Sequence, residues 1–158
     1  MMNDPRGSLW RKWDLHVHTP NSIVNEYGGN TEEVWERFLK DLENLPSQFK
    51  VIGINDYIFI DGYRRVLKEK SNGRLDNIDL ILPVIELRLD KFGGTDGSLS
   101  RVNFHIIFSN ELDPEIIQEQ FLNAIRSGYS LTPEYEDRKI EWGATHNAES
   151  RGSRQKNY

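Results

Sequence analysis

Short apolar runs alternate with amphipathic stretches along the chain, and this alternation limits the fold more than any other feature. The run at residues 50–55, KVIGIN, is typical of a strand that is buried on both faces. Apolar residues recur at helical spacing over residues 31–45, before this run, and a second helical stretch covers residues 63–70, after it. Strands that alternate with helices predict an α/β fold with a largely parallel sheet or barrel.

Breaker and capping residues mark the ends of these elements. Asn30 or Thr31 is suited to cap the first helix, Pro46 stops it, and Asn72-Gly73 ends the second. Strands are also predicted at 13–18, 78–84 and 101–108, and a helix that begins at Asp113-Pro114. Either Pro83 ends the strand at 78–84 or a second segment at 85–89 follows it closely. The Gly- and Ser-rich residues 91–100 are predicted to form an exposed loop.

Apolar content falls after about residue 127, so the predicted organisation has three parts. Residues 1–12 are a lead-in, residues 13–126 form a βα domain, and residues 127–158 are a less regular C-terminal segment. Residues 1–12 carry charge without a following apolar stretch, which predicts no secretory leader. No apolar run approaches the length of a membrane span, and a cytoplasmic protein without a membrane partner is the expectation.

Composition limits which metal ligands and which partners the chain can use. The chain has no cysteine, so a metal has to be held by His, Asp, Glu or water, and no disulfide is available. The net charge of −5 argues against a whole-surface grip on nucleic acid, although a local basic groove stays open.

Residues 13–19 read WDLHVHT and place His16 and His18 two positions apart in the first predicted strand. Side chains alternate between the faces of a strand, so both imidazoles are expected on one side. Two imidazoles about 6–7 Å apart on one face are able to share a metal ion. Two histidines that are only hydrogen-bonded are the alternative.

Polar residues also occur in the other predicted strands or at their ends. Asp56 follows the second strand, Glu86 lies in the third and His105 in the fourth. The carboxyl ends of parallel strands converge on one face, so these side chains and the two histidines predict a metal cluster with nitrogen and oxygen ligands. Each residue also has an alternative interpretation when it is taken singly. Asp56 alone favours a turn or cap residue, Glu86 could be a partner of Arg88, and His105 alone favours a hydrogen-bonded core residue.

Two arginines and one more histidine complete the candidates. Arg88 shares a predicted strand face with Glu86, and Arg101 shares one with His105. Guanidinium groups beside a metal centre suit a phosphate group, although structural or solvent-facing arginines are the alternative. His146, in the segment GATHN, is a further candidate ligand.

These motifs, in this order, resemble those of the PHP family (polymerase and histidinol phosphatase domains). The resemblance covers roughly residues 8–126 and rests on DLHVHT at 14–19, IGIND at 52–56, PVIE at 83–86, and His105 in an apolar strand. The segments WRKWDLHVHTP and VIGINDY are similar, more closely, to the N-terminal PHP domain of TrlF-type ATPases.

The resemblance implies a distorted TIM-like barrel whose divalent ions, usually zinc, manganese or iron, serve phosphoester hydrolysis. We expect one or two such ions here. By motif, His16 and His18 would be ligands, Glu86 a bridging carboxylate and His105 a later ligand, while Asp56 matches the aspartate of the second motif. The implied partners are a phosphorylated substrate or nucleic acid, an ATPase, or a second copy of the chain. The nuclease activity that this suggests would be linked to DNA repair or defence.

Three departures from the family pattern keep a second function open. Tyr57 stands where the family usually has a histidine ligand, and no Asp-x-His triplet follows residue 18. The chain is also shorter than the ~250 residues of a typical barrel, which predicts a partial one. No Walker-type phosphate-binding loop is present. The alternative to a phosphoesterase is therefore a degenerate PHP module that binds metal structurally or docks an ATPase, and a metal-free binding module is a third reading.

Overall fold

The computed structural model describes residues 10–24, 26–95 and 98–125, and this part of the chain has a mixed α/β fold. In chain order the elements are β1 (Lys12–Val17), α1 (Glu32–Glu43), β2 (Phe49–Asn55), α2 (Asp61–Ser71), β3 (Leu80–Thr95), β4 (Ser98–Ile107) and the short helix α3 (Pro114–Ile116), which a π-helical turn (Ile117–Leu122) follows. The chain divides into two compact units, residues 1–114 and 115–158, and all four strands belong to the first.

The four strands form one sheet in the order β1-β2-β3-β4. β1 pairs with β2 and β2 with β3 in parallel, as the alternation of strands and helices predicts. The sheet is curled like half of a barrel, and the described residues do not close it into a complete one. None of the helices in the described part is both long and apolar enough to span a bilayer.

The predicted capping residues of both crossover helices are confirmed. Thr31 is the N-cap of α1, where its hydroxyl accepts the N–H of Val34, and α1 buries the side chains of Trp35 and Phe38. Asn72 caps the C-terminus of α2, and Gly73 follows with a φ of +88°, a conformation that glycine adopts without strain.

Two expectations about the second half of the sheet are wrong. Pro83 does not end a strand, because β3 extends from Leu80 to Thr95 and includes the segment expected at 85–89, with one irregularity in its pairing to β4 between Arg88 and Phe92. Proline removes only one backbone donor, and its fixed φ is compatible with extended chain. Most of the predicted loop at 91–100 is instead strand, because β3 reaches Thr95, β4 begins at Ser98, and the two pair in antiparallel orientation up to these residues. Glycines and serines allow that extension, since backbone pairing does not depend on the side chain.

Two arginines tie the crossover helices and the following turn together. Arg65 of α2 pairs with Glu32 of α1 and lies 4.2 Å from the centroid of the Trp35 ring. Arg74, just beyond α2, donates hydrogen bonds to Glu36 and Glu43, both on α1. The apolar residues of both helices and of β2 and β3 then form the core.

Candidate metal centre

A bulge at the end of β1 brings the two histidines of the first motif together. β1 shifts register between Asp14 and Val17, so two residues of β1 lie opposite one residue of β2. The Asp14 carboxylate accepts the backbone N–H of His16 at 3.1 Å and so satisfies a donor at the bulge. The Nε2 atoms of His16 and His18 are 3.0 Å apart. The two imidazoles therefore lie on the same side, as predicted, although β1 ends at Val17 and does not include His18.

The register of β3 against β4 brings Glu86 and His105 face to face. These two residues are direct partners in the antiparallel ladder, and side chains of direct partners project from the same face of a sheet. The His105 Nε2 lies 3.4 Å from the Glu86 Oε2, and the His16 Nε2 lies 3.6 Å from the same oxygen. We expected His105 at the carboxyl end of a parallel strand, whereas β4 is antiparallel and delivers it from within the strand.

His16, Glu86 and His105 thus form a cluster in which one ligand atom from each residue lies within 4.8 Å of the others. Two imidazole nitrogens and one carboxylate oxygen are the donor set of many zinc and iron sites. Glu86 is 3% exposed and the two histidines are exposed, so the cluster is accessible from solvent through its histidines. The residues present therefore fit a divalent metal ion.

The Glu86 carboxylate is held by two carboxamides. Asn55 donates from Nδ2 to Oε2 at 2.9 Å, and Asn103 donates from Nδ2 to Oε1 at 2.6 Å. The sequence places Asn103 on the strand face of His105, but its contact with Glu86 depends on the hairpin register, which the sequence analysis did not predict.

His18 lies beside the cluster in a more enclosed environment. Burial and then the neighbouring charge of His16 lower the pKa of His18, against an opposing effect of Glu86. The lowered pKa favours the neutral imidazole, which is the form that binds metals. Ser22 Oγ lies 3.3 Å from the His18 Nδ1, and the Tyr57 ring stacks on the imidazole at a centroid distance of 5.0 Å.

Asp56 contacts the residue that follows His18. Its Oδ1 accepts the backbone N–H of Thr19 at 2.8 Å, and its Oδ2 accepts the Thr19 hydroxyl at 2.6 Å. Gly62 lies so close that a Cβ there would be 1.8 Å from the Asp56 Oδ2. We call these three residues the Thr19–Asp56–Gly62 contact. The sequence carries no signal for the roles of Thr19 and Gly62, because nothing local links Thr19 to Asp56 and Gly62, which follow it by 37 and 43 residues.

The other candidates are placed only in part. Arg88 lies in β3, where its backbone pairs with that of Asn103, and Arg101 lies in β4 opposite Phe92. The side chains of both arginines lie outside what the structure describes, as do His146 and residues 127–158 as a whole.

Comparisons of this chain with protein-family models, with curated proteins and with solved structures gave no match.

Proposed function

We propose that this chain is a metal-dependent phosphoesterase of the PHP type. The observation that carries the proposal is the cluster of His16, Glu86 and His105, whose ligand atoms come from three strands and lie within 4.8 Å of one another. The cluster contains three of the four residues that the PHP resemblance assigns as ligands, and the fourth, His18, adjoins it. The curled sheet supports the distorted TIM-like barrel that belongs to this proposal. A cytoplasmic location is also part of the proposal.

His16, Glu86 and His105 would hold the ion, with His18 as the neighbouring ligand. A divalent ion held there would supply Lewis-acid chemistry for phosphoester hydrolysis at neutral pH. Glu86 contributes the single negative charge of the cluster and fixes the side from which the ion is held. His16 and His105 are exposed, so a phosphate group would approach the ion from solvent.

The remaining residues would orient the substrate or the ligands. Arg88 and Arg101 are proposed to bind the phosphate, since β3 and β4 also carry Glu86 and His105. Asp56, which the motif also makes a candidate ligand, would orient the segment that follows His18 through Thr19. A phosphodiester in nucleic acid is the substrate class that the family resemblance suggests.

Metal content and hydrolysis, measured on the same preparations, test the proposal. Wild type is expected to carry one or two zinc, manganese or iron ions per chain and to hydrolyse bis(p-nitrophenyl) phosphate or its monoester. His16→Ala, His105→Ala and Glu86→Gln should lose both properties. Glu111→Gln is the matched control, because this glutamate is exposed and lies beyond the end of β4, outside the sheet that carries the cluster. Wild type without metal after incubation with excess ion, or full turnover in Glu86→Gln, would refute it.

The second candidate function is a module that binds the metal ion without catalysing hydrolysis. Tyr57 has a positive φ of 60° and packs its ring on His18, at the position where the family pattern has a histidine ligand. This observation favours a degenerate module that binds metal structurally and docks an ATPase. Metal bound in wild type and lost in His16→Ala, without hydrolysis of either substrate, would support that function over the first.

A further inference from the structure

Glu86 occupies an unusual environment for a charged side chain. It is 3% exposed, and no cation among the described side chains pairs with it apart from the two histidines, which carry charge only when protonated. Burial of a carboxylate is costly unless hydrogen bonds compensate for the lost water. Those hydrogen bonds come from the neutral carboxamides of Asn55 and Asn103, one to each carboxylate oxygen.

The two carboxamides approach from the strands on either side of β3. Asn55 is the last residue of β2, and Asn103 lies in β4, two positions from His105. Asn55 is itself held, because its Oδ1 accepts the backbone N–H of Tyr57 at 3.3 Å, and its Nδ2 is thereby directed to Glu86. A carboxylate with one donor on each oxygen has a fixed plane as well as a fixed position.

This orientation matters because both histidines approach a single oxygen. The Nε2 atoms of His16 and His105 are 3.6 Å and 3.4 Å from the Oε2 of Glu86, so rotation of the carboxylate would move that oxygen away from both. The Asn103 hydrogen bond on Oε1 opposes such a rotation. Donors of this kind leave the second lone pair of each oxygen available to a ligand.

We propose that Asn55 and Asn103 are positioning residues that orient Glu86 toward the metal ion, an inference that rests on the proposed metal centre. Neutral donors suit this task, since they hold the carboxylate without adding a positive charge that would repel the ion. An aspartate at position 103 would bring a second negative charge to the Oε1 of Glu86 and would lose the donated hydrogen bond.

Metal affinity of Asn103 variants tests the inference directly. Asn103 is exposed, so its replacement disturbs packing little, whereas Asn55 is fully buried and its replacement also leaves the Tyr57 N–H without its acceptor. We would titrate the metal-free full chain with Zn²⁺ by calorimetry and with Co²⁺ by visible absorption, for wild type, Asn103→Ala, Asn103→Gln and Asn103→Asp. Asn44→Ala is the control, because Asn44 also donates one carboxamide hydrogen bond, to Lys40, on α1.

Loss of an outer partner of a metal ligand typically costs 10–100-fold in metal affinity, so we expect Asn103→Ala to raise the Kd by about that factor. Asn103→Gln, which keeps a carboxamide donor, should recover part of the affinity, and the Co²⁺ spectrum should change in Asn103→Ala and not in Asn44→Ala. The thermal stability of the metal-free forms should be similar in Asn103→Ala and Asn103→Gln.

Three other outcomes have distinct meanings. Wild-type affinity in Asn103→Ala overturns the positioning role and leaves the proposed phosphoesterase intact. Weakened metal binding in Asn103→Ala, with no hydrolysis even in wild type, supports the positioning role and refutes the phosphoesterase. Absence of metal binding in wild type overturns both proposals.

Discussion

Gly62→Ala should disrupt the Thr19–Asp56–Gly62 contact, and the structure allows the size of the effect to be worked out. An added Cβ would lie 1.8 Å from the Asp56 Oδ2 and 2.4 Å from the Thr19 Oγ1, whereas ordinary contact begins at 3.4 Å. The carboxylate therefore has to retreat by about 1.6 Å, the difference between 3.4 and 1.8 Å. A retreat of that size breaks hydrogen bonds that are now 2.8 and 2.6 Å long.

The energetic consequence follows from those two bonds. A hydrogen bond to a charged group contributes about 1.5–3 kcal/mol, so the loss of two amounts to roughly 3–6 kcal/mol. Alanine is favoured over glycine within a helix by about 1 kcal/mol, which offsets part of the loss. The net destabilisation of about 2–5 kcal/mol is a large share of a typical unfolding free energy of 5–15 kcal/mol.

Urea unfolding followed by circular dichroism measures this effect. Gly93→Ala is the matched control, because a Cβ at position 93 would meet its nearest neighbour, Val102, at an ordinary 3.6 Å. Gly62→Ala should also weaken metal binding, since Thr19 follows His18 directly. A Gly62→Ala variant within about 0.5 kcal/mol of the control would refute the reasoning, because surface substitutions fall within that range.

Two further predictions concern Asp56 and Arg74. In Asp56→Asn the carboxamide can still accept the Thr19 N–H and donate to the Thr19 hydroxyl, so metal affinity should stay within about threefold of wild type. Thr19→Val removes the hydroxyl and should lower metal affinity about tenfold. The reverse order, measured by Zn²⁺ titration, would make Asp56 a ligand. Hydrogen bonds from Arg74 lower the pKa of Glu43 below the ordinary value of 4.5, so this pair stabilises the fold above pH 4.5 and loses its effect as pH falls through the lowered pKa. Thermal unfolding between pH 3 and 6 should therefore depend less steeply on pH in Arg74→Ala than in wild type, and identical profiles would contradict the role of Arg74.

The local signals in the sequence predicted the first part of the fold well. The caps at Thr31 and Asn72 and the apolar run in β2 depend on neighbours within a few positions, which the sequence displays directly. The second part was harder, because the pairing of β3 with β4 extends through residues of low apolar content. A glycine- and serine-rich segment has the same local signal in a loop and in a two-stranded hairpin, and only pairing distinguishes them.

Local patterns in the sequence identified the candidate ligands and predicted that His16 and His18 lie on the same side, although β1 ends at Val17, one residue before His18. Alternation along an extended chain is a local property, so this prediction needed no knowledge of the rest of the fold. Which of their atoms come close together depends on the tertiary structure. The bulge in β1 and the register of β3 against β4 bring His16, Glu86 and His105 within 4.8 Å. Strand register depends on contacts between residues distant in sequence, and a shift of one residue would turn each side chain to the opposite face.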